Sequence, residues 1–124
     1  MATNKRILIV EDDQVIRDFM KELLEFEGYV VECACNGDEG LEALKRDELL
    51  PRLILLDMAM PVKDGFQFCH EQRLDPKLAQ VPVIIMTADG GIEAKAVQAK
   101  AQGFIRKPFD LSQVIEMVEK HAAH

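Results

Sequence analysis

Short runs of apolar residues alternate along this chain with segments in which apolar residues recur every three or four positions. The short runs predict five β-strands, at 6–10, 29–34, 53–57, 83–87 and 104–107. Because these runs are almost continuously apolar, they suit strands buried on both faces, as in a parallel sheet covered by helices. The alternation therefore predicts a doubly wound α/β sandwich with one helix after each strand.

The segments between the strands predict five helices, at 14–26, 38–46, 65–72, 92–101 and from 111 onwards. Gly28 is placed to end the first helix, since glycine is common just past a helix terminus. Asp110 and Gln113 have the spacing of a capping box at the start of the fifth helix. Residues 61–65 are expected to form a loop over the carboxyl ends of the strands, and residues 89–91 to open the fourth helix.

Charged residues stand where several predicted strands end. The first strand runs into Glu11 and Asp12, the third ends at Asp57, and the fifth runs into Lys107. If these strands are parallel and adjacent, the four side chains converge at one edge of the sheet, where such folds bind ligands. Clustered carboxylates repel one another unless a cation or proton intervenes. Hard oxygen ligands beside a lysine indicate Mg²⁺ and phosphoryl chemistry.

The composition is that of an acidic protein of ordinary hydrophobicity. Its 124 residues carry a net charge of −7, and 48% of them are hydrophobic. This length fits one domain with its own core, and the acidic balance argues against direct nucleic-acid binding. No apolar run approaches the ~20 residues that span a bilayer, and the N-terminal segment is too short for a signal peptide, so we expect a cytoplasmic protein without membrane insertion. Three cysteines without metal-binding spacing argue against a disulfide or zinc framework.

Four motifs, in order along the chain, resemble those of one known family. They are VEDD at 10–13, LLDMAMPVKDG at 55–65, MTA at 86–88 and RKPF at 106–109. With them the chain resembles the receiver domain of two-component response regulators, in particular stand-alone receivers of the chemotaxis-regulator type. The resemblance runs from about Lys5 to about Ala122 and implies a single receiver domain over 1–124. It also implies a flavodoxin-like, five-stranded parallel sheet of order 2-1-3-4-5 with five helices.

The resemblance assigns roles to the residues at the strand ends. It implies that Asp57 accepts a phosphoryl group, with Mg²⁺ as cofactor, from the phosphohistidine of a histidine kinase or from a small phosphodonor. Asp12 is implied to bind the metal directly and Glu11 through water, together with Asp57 and the backbone carbonyl of Ala59. Lys107 supplies a positive charge to the phosphoryl group.

The same resemblance implies a switch and a set of partners. Thr87 donates its hydroxyl to the phosphoryl group, Phe104 then swings inward, and Pro108 follows a cis peptide bond. The switch acts on the face formed by the fourth helix, the fifth strand and the fifth helix. The implied partners are a histidine kinase or phosphotransfer protein and a downstream protein target. The implied role is a signalling phosphoacceptor that catalyses only its own phosphorylation and dephosphorylation.

Several of these residues also have purely structural interpretations. Asp57 could cap a strand-to-loop turn, Thr87 is an ordinary β-branched strand residue, and Phe104 could be a core aromatic. The coincidence of matching residues at several strand ends favours the functional interpretation for Asp57. The structural interpretation of Thr87 is reasonable in isolation, and for Phe104 both interpretations could hold in different states. Asp13, in contrast, is best explained as the N-cap of the first helix rather than as a metal ligand.

Other functional classes remain as alternatives. A Mg²⁺-dependent phosphatase of the haloacid dehalogenase type also uses an Asp after a strand, but it needs a second Asp two residues later, where this chain has Ala59. A flavodoxin-like cofactor binder needs a phosphate-binding loop after the first strand, where Glu11 and Asp12 would repel phosphate. A receiver used only as a binding module usually lacks the acceptor, the acid pair or the lysine, and all of them are present.

Two features depart from the family pattern on the output face. The segment from Thr87 to Lys107 is about two residues shorter than in many receivers, and we expect the loss between Gly103 and the fifth strand. Gly90 and Gly91 stand at the start of the fourth helix, where they add backbone freedom. These departures affect the expected partner surface rather than the chemistry of the acidic site.

Overall fold

The computed structural model describes residues 5–46, 49–60, 63–88 and 90–122. Strands and helices alternate along it, as the hydrophobic pattern predicts. The strands are β1 (Arg6–Val10), β2 (Val30–Ala34), β3 (Leu53–Asp57), β4 (Val83–Thr87) and β5 (Gly103–Arg106). The helices are α1 (Gln14–Phe26), α2 (Gly37–Arg46), α3 (Gly65–Leu74), α4 (Ile92–Ala99) and α5 (Leu111–Ala122), with a 3₁₀ turn at Leu78–Gln80.

The five strands form one parallel sheet in the order β2-β1-β3-β4-β5. This confirms the predicted flavodoxin-like order. After β1 the chain passes first to one side, to β2, and then to the other side, to β3. The strand order therefore reverses between β1 and β3, and the carboxyl ends of these neighbours meet at the place where such sheets bind ligands.

Hydrophobic packing covers both faces of the sheet. Successive residues of a strand point to opposite faces, so Leu8 belongs to the hydrophobic cluster that includes α2, α3 and α4, and Ile7 to the cluster that includes α1 and α5. All five residues of β3 and all five of β4 are buried. Burying one Leu or Ile side chain contributes about 1.5–3 kcal/mol, so these central strands are the rigid part of the fold.

Capping residues fix where several helices begin and end. The Asp13 carboxylate accepts from the backbone amides of Val15 and Ile16, as expected for the N-cap of α1. Gly28 has a φ of 96°, a left-handed conformation that favours glycine after a helix. Asp110 and Gln113 form the predicted capping box of α5.

Some predicted boundaries were wrong by one or two residues. β2 begins at Val30 rather than at residue 29, because the Tyr29 amide donates a hydrogen bond to the Leu24 carbonyl near the end of α1 and not to a neighbouring strand. α2 begins one residue earlier than predicted, at Gly37. α3 extends two residues further than predicted, to Leu74.

The region around β5 also differs from the prediction. α4 ends at Ala99 rather than at residue 101, because Lys100 adopts a left-handed φ of 57° and stops the helix. β5 runs from Gly103 to Arg106, one residue earlier at each end than predicted, and Gly103 pairs with Ile84. Where this segment is shorter than in other receivers stays a prediction. Residues 61–62 of the predicted loop and residue 89 at the predicted opening of α4 lie outside the described residues.

Gly65 joins the end of β3 to α3 through a close backbone approach. Its amide donates to the Met58 carbonyl at 3.1 Å, and a Cβ atom on Gly65 would lie 2.8 Å from Met58 Cα. We therefore expect Gly65→Ala to lower the free energy of unfolding by about 1–3 kcal/mol, because backbone and not a flexible side chain must move. Urea unfolding followed by circular dichroism measures this change.

Gly90→Ala is the matched control for that substitution. A Cβ atom on Gly90 meets nothing within 4 Å. We expect its effect to stay within about 0.5 kcal/mol, as for most surface substitutions. Equal stabilities for the two variants would show that the approach at Gly65 is not tight.

Candidate functional site

The carboxyl ends of four neighbouring strands bring the predicted site residues together. Glu11 follows β1, Asp57 ends β3, Thr87 ends β4 and Lys107 follows β5. Glu11, Asp57 and Thr87 are buried, with exposed fractions of 0%, 4% and 1%. Asp12 is exposed at the mouth of the site. The sheet thus places polar groups inside the protein, where each needs a partner.

Three carboxylates form the centre of the site. One oxygen from each of Glu11, Asp12 and Asp57 lies within 4.8 Å of the other two. Their side chains offer only oxygen donors, and two of the three acids are buried. This donor set fits Mg²⁺, which takes oxygen ligands, usually keeps several waters and binds through one or two carboxylates. Glu11, Asp12 and Asp57 could therefore hold such an ion together with water, since Asp12 is exposed.

Lys107 is the cation that faces the two buried acids. Its Nζ lies 2.6 Å from Glu11 Oε1 and 3.5 Å from Asp57 Oδ1. The backbone amide of Lys107 also donates to the Thr87 carbonyl, which ties the lysine to the end of β4. One lysine offsets at most one of the three negative charges when all three acids are ionised. The cluster therefore attracts either a proton or a further cation.

The pKa values follow from this crowding. Burial, together with the hydrogen bond and charge of Glu11, raises the pKa of Asp57 to about 8 despite the opposing charge of Lys107. Burial acts to raise the pKa of Asp12 too, but hydrogen bonds with Asp57 and Glu11 outweigh it, so that pKa is lowered. Burial opposes the charge of Lys107, but its hydrogen bond to Glu11 and the charge of Asp57 raise the amine's pKa. In the absence of metal, Asp57 therefore carries a proton near neutral pH.

The segment after Asp57 turns back over the Asp57 carboxylate. The Ala59 amide donates to Asp57 Oδ1 at 3.3 Å, and the Met58 amide bonds to the Met86 carbonyl of β4. Ala59 itself is exposed. That its carbonyl binds a metal stays a prediction. α3 begins just beyond, where Asp64 and Gln67 form a capping box that was not predicted from the sequence.

The predicted switch residues lie on one face of the sheet. Phe104 pairs with Ile85, two residues before Thr87, and its ring packs against the core below α4. It is partly buried, which fits the core role as well as a switch. The peptide bond between Lys107 and Pro108 is cis.

Arg17 was not among the residues predicted from the sequence. It lies on α1, and its Nη1 atom donates to the Glu11 carbonyl at 2.8 Å and is 3.4 Å from the Asp12 carbonyl. The available signal was an arginine one turn into the helix that follows the acid pair. Its contacts depend on a long side chain folding back, which periodicity does not reveal.

Comparison with known proteins agrees with this geometry. Residues 7–119 match the family model described as "Response regulator receiver domain". The chain is 39% identical over 115 residues to the DNA-binding dual master transcriptional regulator RpaA of Synechocystis sp.; the match covers 91% of this chain but 47% of RpaA. The chain therefore spans about half the length of that relative.

Solved structures give the same result. The chemotaxis protein CheY4 of Vibrio cholerae superposes with a TM-score of 0.87 at 27% identity, covering 97% of this chain and 99% of that one. The receiver domain of sensor histidine kinase PA1611 from Pseudomonas aeruginosa does so with a TM-score of 0.87 at 26% identity, covering 98% and 100%. That neighbour has a magnesium ion coordinated in its active site cleft. In the part of our chain that the structure describes, no helix has both the length and the apolar character needed to cross a bilayer.

The raised pKa of Asp57 predicts a pH-dependent stability in the absence of metal. The unfolded carboxyl ionises near a pKa of about 3.9, whereas the folded one holds its proton up to about pH 8. The folded state binds more protons in this window, so its free energy of unfolding falls as the pH rises through it. Asp57→Asn removes this fall in the free energy of unfolding, because an amide does not titrate. We expect its stability advantage over wild type, measured by urea unfolding with a chelator present, to be larger at about pH 8 than at about pH 5.

Asp18→Asn is the control, because it removes an exposed acid on α1 away from the cluster. Its unfolding profile is expected to parallel that of wild type. If the Asp57→Asn profile were parallel as well, the carboxyl would not hold its proton in the folded state.

Proposed function

The chain belongs to the response regulator receiver domain family, and on that premise we propose that Asp57 accepts a phosphoryl group from a phosphohistidine or a small phosphodonor. Receivers of this family are signalling modules rather than classical enzymes. The observation that carries the proposal is the place of Asp57: a buried carboxylate at the end of β3, between two further acids and Lys107. Such a carboxylate is an oxygen nucleophile with cationic support beside it.

The reaction is a transfer between two nucleophiles. An ionised oxygen of Asp57 forms a new bond to phosphorus while the bond from phosphorus to the donor's imidazole nitrogen breaks, leaving an aspartyl phosphate and a free histidine. Asp57 must first release the proton that its raised pKa retains. Glu11 and Asp12 would hold Mg²⁺ beside it, and Ala59 would add its backbone carbonyl. When bound, Mg²⁺ neutralises the repulsion between the acceptor carboxylate and the phosphoryl oxygens.

Lys107 and Thr87 are proposed to hold the transferred group. The ammonium of Lys107 now pairs with Glu11 and lies 3.5 Å from Asp57, so a small rotation takes it to an oxygen on the acceptor. The Thr87 hydroxyl is a donor at the end of the adjacent strand. Together they would supply a charge and a directed hydrogen bond to the phosphoryl group.

Output is proposed to occur through the face formed by α4, β5 and α5. Response regulators interact with histidine kinases and with downstream effectors. On this face Glu93 and Arg106 form an exposed ion pair at 3.1 Å, and Val97 is 78% exposed. If Thr87 moves toward the phosphoryl group, Phe104 can turn into the space behind it and change this face.

The phosphodonor is proposed to dock beside α1. Val15 and Phe19 of α1 are exposed and line a groove with Phe109, next to Lys107 and Pro108. A donor histidine must come within bonding distance of Asp57, so its carrier has to rest on the surface that borders Lys107. This apolar groove fits an apolar helix surface of a histidine kinase or phosphotransfer protein.

Two other functions fit less well. A haloacid-dehalogenase-type phosphatase needs an acid where Ala59 stands. A module used only for binding does not need an acceptor held among two acids and a lysine. The net charge of −7 also argues against direct nucleic-acid binding, which uses a basic surface.

Labelling with acetyl phosphate tests the acceptor. We expect one phosphoryl group per wild-type chain in the presence of Mg²⁺, detected by mass spectrometry, and none on Asp57→Asn, because an amide cannot form the acyl phosphate. Asp18→Asn removes an exposed acid of α1 and is expected to label like wild type. Label persisting on the Asp57→Asn chain would place the acceptor elsewhere.

Metal binding predicts a measurable stabilisation. If Mg²⁺ binds only the folded protein, a concentration 100 times its Kd adds about 2.7 kcal/mol to the free energy of unfolding. Asp12→Asn is expected to remove most of this gain. Asp13→Asn is the matched neighbour and is expected to keep it, since asparagine caps a helix about as well as aspartate. Equal loss in both variants would mean that the gain is not specific to the cluster.

A beryllofluoride mimic of the phosphoryl group tests the proposed switch. We expect backbone NMR shifts to extend from Thr87 and Ala88 to α4 and Phe104. Phe104→Leu is expected to keep the shifts around Asp57 and to lose those on α4, because the smaller side chain transmits less of the movement. Shifts confined to the pocket in wild type would place the switch elsewhere.

A further inference from the structure

Arg17 reaches from α1 back to the backbone that carries the acid pair. Its Nη1 atom donates to the Glu11 carbonyl at 2.8 Å, a good hydrogen bond, and lies 3.4 Å from the Asp12 carbonyl, a weaker contact. The side chain is half-buried against this turn. The Arg17 guanidinium therefore contacts the backbone carbonyls of Glu11 and Asp12, the two adjacent residues proposed to bind the metal through their carboxylates.

Other contacts hold the same turn from different directions. The Glu11 amide donates to the Ala34 carbonyl of β2, and the Asp13 amide lies 3.3 Å from Glu11 Oε2. Lys107, which follows β5, forms an ion pair with the Glu11 side chain. Arg17 adds a contact on the carbonyl side, so the turn is restrained on its amide side, its carbonyl side and its side chain.

We propose that Arg17 is a positioning residue, which keeps the turn at Glu11 and Asp12 in the conformation that binds a divalent cation; this rests on the proposed function. The reason is electrostatic. Three acids at one edge repel one another, and that repulsion pushes the turn outward unless the backbone is held. Arginine suits this task, because its guanidinium is always charged and the two hydrogens of its Nη1 atom can donate to two acceptors.

Geometry and charge predict opposite effects of removing Arg17. If Arg17 acted only through its charge, its loss would make the site more negative, and Mg²⁺ would bind more tightly. If Arg17 positions the turn, its loss lets the ligands separate, and Mg²⁺ binds more weakly. The sign of the change in Mg²⁺ affinity therefore separates the two roles.

Titration calorimetry with Mg²⁺ alone measures this sign. We expect about 10-fold weaker binding in Arg17→Met, within the range for residues that orient metal ligands. Lys21→Met is the matched control: Lys21 lies one turn further along α1, is exposed, and carries the same charge. Its Kd should stay within about two-fold of wild type or fall slightly, since only a distant charge is lost. An unchanged or tighter Kd in Arg17→Met would overturn the proposal.

Arg17→Lys tests the same proposal in case Arg17→Met does not fold. It retains the charge and most of the stem, but its ammonium lacks the planar fork. We expect a smaller weakening of Mg²⁺ binding in the same direction, with urea unfolding showing an intact cooperative fold. Wild-type affinity in Arg17→Lys together with tighter binding in Arg17→Met would mean that charge is what matters.

Labelling rates then separate positioning from a direct role in transfer. In Arg17→Met, the Mg²⁺ concentration for half-maximal labelling by acetyl phosphate should rise about 10-fold, while the rate at saturating Mg²⁺ returns to the wild-type value. A rate that stays low at saturation would contradict the proposal. If wild type binds Mg²⁺ but takes no label, the proposed function fails, and the calorimetric comparison still decides the role of Arg17.

Discussion

Repulsion among three carboxylates at one edge of a parallel sheet is the constraint on which the rest of the site depends. Glu11 and Asp57 are buried and Asp12 lies at the mouth, with one oxygen of each within 4.8 Å of the others. Lys107 relieves part of the charge, and a proton on Asp57 relieves more when metal is absent. In the function proposed above, the site exchanges a proton for a divalent cation and then accepts an anionic phosphoryl group beside that cation.

The fold supplies the restraint that such a cluster needs. β3 is buried along its whole length, so Asp57 stands on a rigid strand and cannot retreat from its neighbours. The tight approach of Gly65 to Met58 fixes the segment after Asp57, and Arg17 holds the turn after β1. On our proposal, these restraints make repulsion among the acids favour cation binding over local unfolding.

Most of the strands and the position of the acidic cluster could be predicted from the sequence, because they depend on short-range patterns. Apolar runs gave β1, β3 and β4 to the residue, and acids at strand ends located the site. The strand order came from the family resemblance, since periodicity does not determine which strands are neighbours. The last residue of α4 and the first residue of β2 were predicted wrongly. Both depend on which backbone partners a residue finds in the folded chain: Lys100 adopts a left-handed conformation, and the Tyr29 amide donates a hydrogen bond to the Leu24 carbonyl. Arg17 was missed because its contact arises only once α1 packs beside β1.

Titration of the Asp57 carboxyl by carbon-detected NMR, with and without Mg²⁺, tests the central claim most directly. Without Mg²⁺ the carboxyl is expected to titrate at about pH 8, because burial and Glu11 disfavour its charge. Saturating Mg²⁺ should lower that midpoint strongly, because the cation favours the ionised form. A midpoint near the ordinary value of about 4 in both conditions would contradict the account, since burial and the neighbouring acids would then not disfavour the charged form of Asp57.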